Sequence, residues 1–147
     1  MVEREGGSKR LHEKLREIEA AKIAATDKAV SGLELLVKVV KTQRGAGATG
    51  QSIRVLRFLA GLYNGPRFPF DLTDLRALDF DLSSACLDIL ALDRFAATEI
   101  HKWGPVSAEE LNELFQEAGL YYEVERRRIG TELYESKFPD GHPDEGL

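Results

Sequence analysis

The sequence has very few of the residues from which metal and cofactor sites are usually built. It contains one cysteine and three histidines among 147 residues. A single cysteine cannot form an internal disulfide, and Cys86 lies in an apolar stretch, which predicts a small buried side chain rather than a reactive thiol. His12, His101 and His142 have no cysteine, histidine or carboxylate at metal-site spacing. We therefore expect no metal ion and no cofactor.

Long hydrophobic runs are also missing. No apolar run approaches the ~20 residues that a membrane-spanning helix needs. The first ten residues, MVEREGGSKR, lack the apolar core of a signal peptide. An unpaired cysteine suits a reducing compartment. These features predict a cytoplasmic protein with no membrane partner.

Catalytic motifs are absent as well, apart from one near-match. Residues 45–52 fit most of the phosphate-binding pattern G-x-x-x-x-G-K-S/T, but Gln51 stands where the lysine belongs, and a predicted helix precedes the loop instead of a strand. No serine lies in a nucleophile elbow. We therefore expect no enzyme activity, no nucleotide and no small-molecule substrate.

The charge is unevenly distributed along the chain. Residues 1–67 carry 13 Lys and Arg against 7 Asp and Glu, whereas residues 68–99 carry 2 against 7 and residues 100–147 carry 5 against 11. If the fold keeps these segments apart, the protein has one basic and one acidic surface. The simpler interpretation is that the charges lie on solvated helix faces.

The segment from Leu82 to Trp103 predicts a central helix. Its apolar residues at helical spacing are Leu82, Ala85, Cys86, Ile89, Leu92, Ala96, Ile100 and Trp103. Further apolar residues widen this stripe beyond one face, and a helix that is apolar nearly all round usually lies at the centre of a bundle. Asp71 and Asp81 are placed to cap two successive helices.

Other helices are predicted on both sides of this element. They cover about Lys9 onward with Ser8 as cap, Ala29–Gln43, Gln51–Tyr63, and a helix after the capping box Ser107-Ala108-Glu109-Glu110. The first two can be continuous or broken at Thr26-Asp27 or Ser31-Gly32. Residues 120–138 fit a helix or a hairpin, and we favour the helix.

The predicted fold class is all-α, a compact helical bundle of about five to six helices around the helix near 82–103. Residues 1–32 form an amphipathic, charged N-terminal helix that either projects as an arm or packs on its own core. Residues 33–138 form the helical core domain. Residues 139–147 form a polar, disordered tail.

A family resemblance extends across roughly residues 33–103. It rests on Thr49-Gly50-Gln51-Ser52, Arg54-Val55, Phe58-Leu59, Asn64, Phe70-Asp71-Leu72-Thr73-Asp74-Leu75 and Asp79. These residues resemble the core of an uncharacterised bacterial domain family of plasmids, conjugative elements and related mobile DNA. Tryptophans of that family, near the end of the third helix and after FDLTDL, are replaced here by Tyr63 and Arg76. The resemblance implies no established activity.

The mobile-element setting nevertheless implies a type of function. Small acidic proteins of such elements often neutralise a host defence, so the resemblance implies an anti-CRISPR inhibitor that binds a Cas subunit of the bacterial host and blocks or disrupts the effector complex. The alternative is a nucleic-acid-binding accessory or regulatory protein of a plasmid or conjugative element. The basic first half favours that alternative, but a sequence pI near 5.3 argues against direct nucleic-acid binding.

Two sets of residues are candidates for the partner contact. The acidic set can occupy a surface shaped for phosphates, and the apolar set, on the N-terminal arm, can enter a groove. The acidic candidates are Asp71, Asp74, Asp79 and Asp81, and the apolar candidates are Leu11, Leu15 and Ile18. Helix caps and surface positions are the alternative explanation for the aspartates.

Overall fold

One helix forms the long axis of the molecule. The computed structural model describes residues 2–95 and 98–137. Helix α1 runs from Val2 to Thr42, about 60 Å at 1.5 Å per residue. The sequence left open whether the first two predicted helices are continuous or broken, and in the structure they form one unbroken helix. The expected start near Lys9 is wrong: Ser8 lies inside the helix, and its carbonyl is hydrogen-bonded to Nδ1 of His12 at 2.8 Å.

Helix α2, Gly50–Tyr63, confirms the third predicted helix and its end at Tyr63, and it begins one residue before the predicted start. A capping box fixes its first turn, because the Thr49 side chain accepts from the Ser52 N–H while the Ser52 hydroxyl accepts from the Thr49 N–H. The buried face consists of Val55, Leu56, Phe58, Leu59 and Ala60. This face supplies one side of the hydrophobic core.

Helix α3, Phe80–Asp93, makes its most extensive contact with α1. Gly32 permits this contact, since a Cβ built there would lie 3.0 Å from the carbonyl oxygen of Ala85. The predicted helix through Trp103 is wrong at its C-terminal end, because α3 ends at Asp93 and a short 3₁₀-helix follows at Ile100–Lys102. Ile100 is buried there beside α2, and a straight continuation would carry it about 10 Å past Asp93.

Two further helices complete the bundle. Helix α4, Ala108–Glu117, begins with the predicted capping box of Ser107 and Glu110. Gly119, at φ +73°, turns the chain into α5, Leu120–Lys137. The helix that we favoured over a hairpin for residues 120–138 is therefore confirmed as far as Lys137, and residue 138 lies outside the described residues. The predicted disordered tail, 139–147, lies outside the described residues.

The all-α prediction is confirmed, and no strand forms within the described ranges. All five helices contribute to one core. Its largest fully buried side chains are Phe115, Leu33, Leu36, Leu59 and Ile89. Cys86 is fully buried as predicted, and burial raises the pKa of its thiol to about 12. None of the helices described in 2–95 and 98–137 is long and apolar enough to cross a membrane.

The first turns of α1 extend beyond this core. Residues 6–17 are exposed, and from residue 6 onward Ala29 is the first residue of α1 to be completely buried. Leu11 and Leu15 are 60% and 53% exposed, while Ile18 is half-buried. Their spacing continues the buried face of α1 toward the N-terminus. The N-terminal part of α1 therefore projects as an arm that carries a thin apolar stripe.

Candidate functional site

The segment between α2 and α3 lies against the core on one side and faces solvent on the other. Its inward side chains are Phe68, Phe70, Leu75 and Leu78, of which Phe68 and Leu78 are buried. The ring of Phe70 meets that of Phe58 edge to face, with centroids 5.5 Å apart. A 3₁₀-helix at Leu72–Ala77 leads from this anchor to the start of α3. The segment is thus held in place along its length.

Gln51 connects this segment to α2. Its Nε2 donates to the carbonyl of Ala77 at 2.6 Å, and its Oε1 accepts from the backbone N–H of Asp79 at 2.8 Å. One side-chain amide therefore bonds the backbone on both sides of the junction between the 3₁₀-helix and α3. Gln51, which replaces the lysine of the phosphate-binding pattern, therefore stabilises the start of α3.

Two of the four candidate aspartates have structural partners. Asp71 caps the 3₁₀-helix, and its Oδ1 accepts from the hydroxyl of Thr73 at 2.7 Å and from the Thr73 N–H at 2.9 Å. These hydrogen bonds hold the pKa of Asp71 below its usual value. Asp74 lies 3.8 Å from Nε of Arg54. Arg54 of α2 thus forms an ion pair with the acidic segment.

The other two candidates, Asp79 and Asp81, are exposed and make no ion pair within the described part of the chain. Asp79 occupies the N-cap position of α3, although its side chain makes no capping hydrogen bond. Asp81 lies in the first turn, so its predicted role as the cap is wrong. Both carboxylates stand at the positive end of the α3 dipole, where negative charge is favoured.

Two large apolar side chains lie among these acids, and sequence reasoning missed both as site residues. Phe80 is 82% exposed and Leu72 is 73% exposed. Phe80 directly follows the N-cap residue and lies between two aspartates. This position between two charged residues is the sequence feature that could have indicated an exposed side chain. We call Asp71, Leu72, Asp79, Phe80 and Asp81 the 71–81 surface.

The arm and the 71–81 surface lie at opposite ends of α3. Helices α1 and α3 are antiparallel: Gly32 meets Ala85, and the Lys22 ammonium lies 5.9 Å from the centroid of the Phe95 ring, just past the end of α3. The arm residues Leu11, Leu15 and Ile18 extend farther in that direction, whereas the 71–81 surface adjoins Phe80. The two predicted contact sets are therefore not brought together.

The basic first half of the chain forms ion pairs with the acidic last third, although the charge distribution in the sequence suggested separate basic and acidic surfaces. Lys41 pairs with Glu110, and Arg44 pairs with Glu117 through both carboxylate oxygens. These contacts lower the pKa of both glutamates. Arg57 pairs with Glu123 on α5 at 3.2 Å. Two of the four glutamates of α4 therefore face bases of the first half.

The glycine-rich loop borders a cavity of about 200 Å³. The preceding element is α1, and Ser52 is 3% exposed with its hydroxyl bonded to the backbone of Thr49. The Arg44–Glu117 pair lies beside the cavity. Within residues 2–95 and 98–137, no three His, Cys, Asp or Glu side chains are grouped to hold a metal ion.

Comparison with protein families gives one match. The model of a family of unknown function, DUF7673, matches residues 32–119, which is more than half of the chain. The matched region begins at Gly32 in α1 and reaches Gly119, so it includes the 71–81 surface and leaves out most of the arm and α5. No curated protein and no solved structure matches the chain.

Proposed function

The chain belongs to the DUF7673 family of unknown function, and we propose that it is a cytoplasmic, non-enzymatic interaction protein whose 71–81 surface binds another protein. The observation that carries this proposal is Phe80, a phenylalanine left 82% exposed between two unpaired aspartates on an anchored segment. Exposed aromatic anchors with a polar rim are typical of protein-binding surfaces.

The chemistry of the surface indicates the class of partner. Asp79 and Asp81 present negative charge that no base in the described chain neutralises. Carboxylates can occupy a surface that normally binds phosphates, and they steer association through long-range attraction. The partner is therefore a basic protein that handles nucleic acid. Phe80 and Leu72 supply the apolar burial that charge alone lacks.

The mobile-element resemblance gives the proposal its concrete form. The protein acts stoichiometrically as an anti-CRISPR inhibitor, binds a Cas subunit of the bacterial host, and blocks or disrupts the effector complex. The arm, with Leu11, Leu15 and Ile18, provides a second helix-in-groove contact at the far end of α3. Asp71 and Asp74 contribute charge, but their hydrogen bond and ion pair also maintain the segment.

Co-purification with a purified CRISPR effector complex tests the proposal. We expect Asp79→Lys/Asp81→Lys to abolish capture, while the matched reversal Glu113→Lys/Glu135→Lys, on exposed carboxylates of α4 and α5, leaves capture intact. Leu11→Ser/Leu15→Ser should weaken capture without abolishing it. Each variant is first compared with the wild type by circular dichroism and thermal melting.

Two results would overturn the proposal. Equal capture by both charge-reversal variants would show that the 71–81 surface is not the contact. Tight binding of bare duplex DNA, with no interaction with the effector, would favour the alternative of a nucleic-acid-binding accessory protein.

A further inference from the structure

The outer side of α3 carries a stripe of apolar and small side chains that continues from the 71–81 surface. Its four positions, spaced by four, three and four residues, are Phe80, Ser84, Leu87 and Ala91. Leu87 is 59% exposed and Ala91 is also exposed, whereas Leu82 and Ile89 on the opposite side are buried. The stripe spans three turns, about 16 Å. No other part of the described chain covers it.

The charges within α3 have one sign, and Arg94 follows directly after its last residue. Helix α3 contains Asp81, Asp88 and Asp93 and no lysine or arginine. Asp81 and Asp88 are seven residues apart, so they lie on the same flank of the stripe. Across the adjoining groove, α1 contributes Asp27 and Lys28, whose charges offset each other. A partner on this stripe therefore meets a negative flank.

The side chains along the stripe also indicate the shape of the partner. Large Phe80 and Leu87 alternate with small Ser84 and Ala91, and this alternation leaves spaces into which the side chains of a crossing helix fit. A strand has no comparable way to attach, because the backbone hydrogen bonds of α3 are made within the helix. Leu35 of α1, in the adjoining groove, adds apolar surface at the edge.

We infer that the α3 stripe is the docking site for an amphipathic, basic α-helix of the partner protein. The apolar side chains of that helix pack between Phe80 and Leu87, and its lysines or arginines face Asp81 and Asp88. The inference rests on the proposed function and specifies the secondary structure and charge of the segment that is bound.

A synthetic peptide of about 18 residues, built from leucine and lysine with the leucines at helical spacing, serves as the probe. Fluorescence anisotropy should show saturable binding to the wild type. Leu87→Ser should weaken binding at least about fivefold, as should Asp88→Lys. Leu133→Ser, which removes a 67% exposed leucine from α5, is the matched control and should bind as the wild type does.

Two control peptides test the shape and charge of the site. One has the same composition in an order without an apolar stripe, and the other replaces every lysine with glutamate. Neither should bind. Equal binding of the reordered peptide, or equal affinities of the Leu87→Ser and Leu133→Ser variants, would overturn the inference.

Failure of this inference is distinguishable from failure of the proposed function. If Leu87→Ser captures the effector normally while Asp79→Lys/Asp81→Lys does not, helix docking is wrong and the 71–81 contact stands. If neither the wild type nor any variant captures the effector, but binding of the peptide is still weakened by Leu87→Ser, only the proposed function fails. A wild-type dimer in sedimentation velocity that Leu87→Ser dissociates would assign the stripe to a second copy and overturn the inference.

Discussion

The side chain of Gln51 accepts a hydrogen bond from the backbone N–H of Asp79 at 2.8 Å while it donates to the carbonyl of Ala77 at 2.6 Å. This pair of contacts fixes the place where α3 begins. It therefore also fixes the direction in which Phe80 and Asp81 extend from the surface. A residue in the first turn of α2 thus positions the candidate binding surface, 28 residues later in the chain.

Replacing Gln51 should destabilise the protein and weaken partner binding together. Gln51→Ala removes both hydrogen bonds, and we expect the free energy of unfolding to fall by about 1–2 kcal/mol, because the contacts are partly solvated. Urea denaturation measures this change. Gln116→Ala on the exposed side of α4 is the matched control and should be close to neutral. Equal stabilities of the two variants would show that the Gln51 contacts contribute nothing.

The sequence predicts a helix boundary correctly where neighbouring residues determine that boundary. Ser107 with Glu110 begins α4 as predicted, because a capping box is formed by neighbouring residues, and Thr49 with Ser52 begins α2 at Gly50, one residue before the predicted start. The predicted end of α3 was wrong because Ile100 continues the helical spacing. In the structure Ile100 is instead buried beside α2, away from the axis of α3. Tertiary contacts decide that boundary, and periodicity does not contain them.

The candidate site was only partly predictable for a related reason. Spacing assigns Phe80 and Leu87 to a face of α3, but it does not say whether another element covers that face. The pairing of Asp74 with Arg54 could be anticipated from charge, whereas the bond from Gln51 to Asp79 joins residues far apart in the chain. The exposed aromatic and the unpaired aspartates emerge only when the elements are packed together.

The close approach of α1 to α3 predicts opposite effects for two glycine substitutions. Gly32→Ala gains helix propensity, about 1 kcal/mol, but places a Cβ 3.0 Å from the Ala85 carbonyl, so we expect a net loss of about 1–3 kcal/mol. Gly130→Ala in α5 meets nothing within 4 Å and should stabilise the protein. Thermal melting compares them. Stabilisation by both would show that α1 and α3 do not pack this closely.

Cys86 should be unreactive in the folded protein. Its side chain is fully buried, and burial raises the pKa of the thiol to about 12, so little thiolate is present at mildly alkaline pH. Modification by Ellman's reagent should follow the rate of opening and become rapid in concentrated guanidinium chloride. Rapid stoichiometric modification of the native protein would contradict the position of Cys86 in the core.

The glycine-rich loop should not bind nucleotide. Gln51 is engaged with the backbone near α3, and the Ser52 hydroxyl is engaged with the backbone of Thr49, so neither can serve a phosphate or Mg²⁺ without breaking the fold. Calorimetry with ATP and Mg²⁺ should show no heat of binding, and Gln51→Lys should not create any. Micromolar affinity that disappears in Ser52→Ala would contradict this assignment.

The most direct test of the central claim is the affinity of the folded chain for a purified CRISPR effector complex, measured for Phe80→Ser and Leu133→Ser across a range of salt concentrations. Both substitutions remove a large exposed apolar side chain, so neither should unfold the protein. We predict that Phe80→Ser weakens binding at least about tenfold, that Leu133→Ser binds as the wild type does, and that the wild-type affinity falls as salt rises. Equal affinities of the two variants, or no binding by the wild type at low salt, would contradict this prediction.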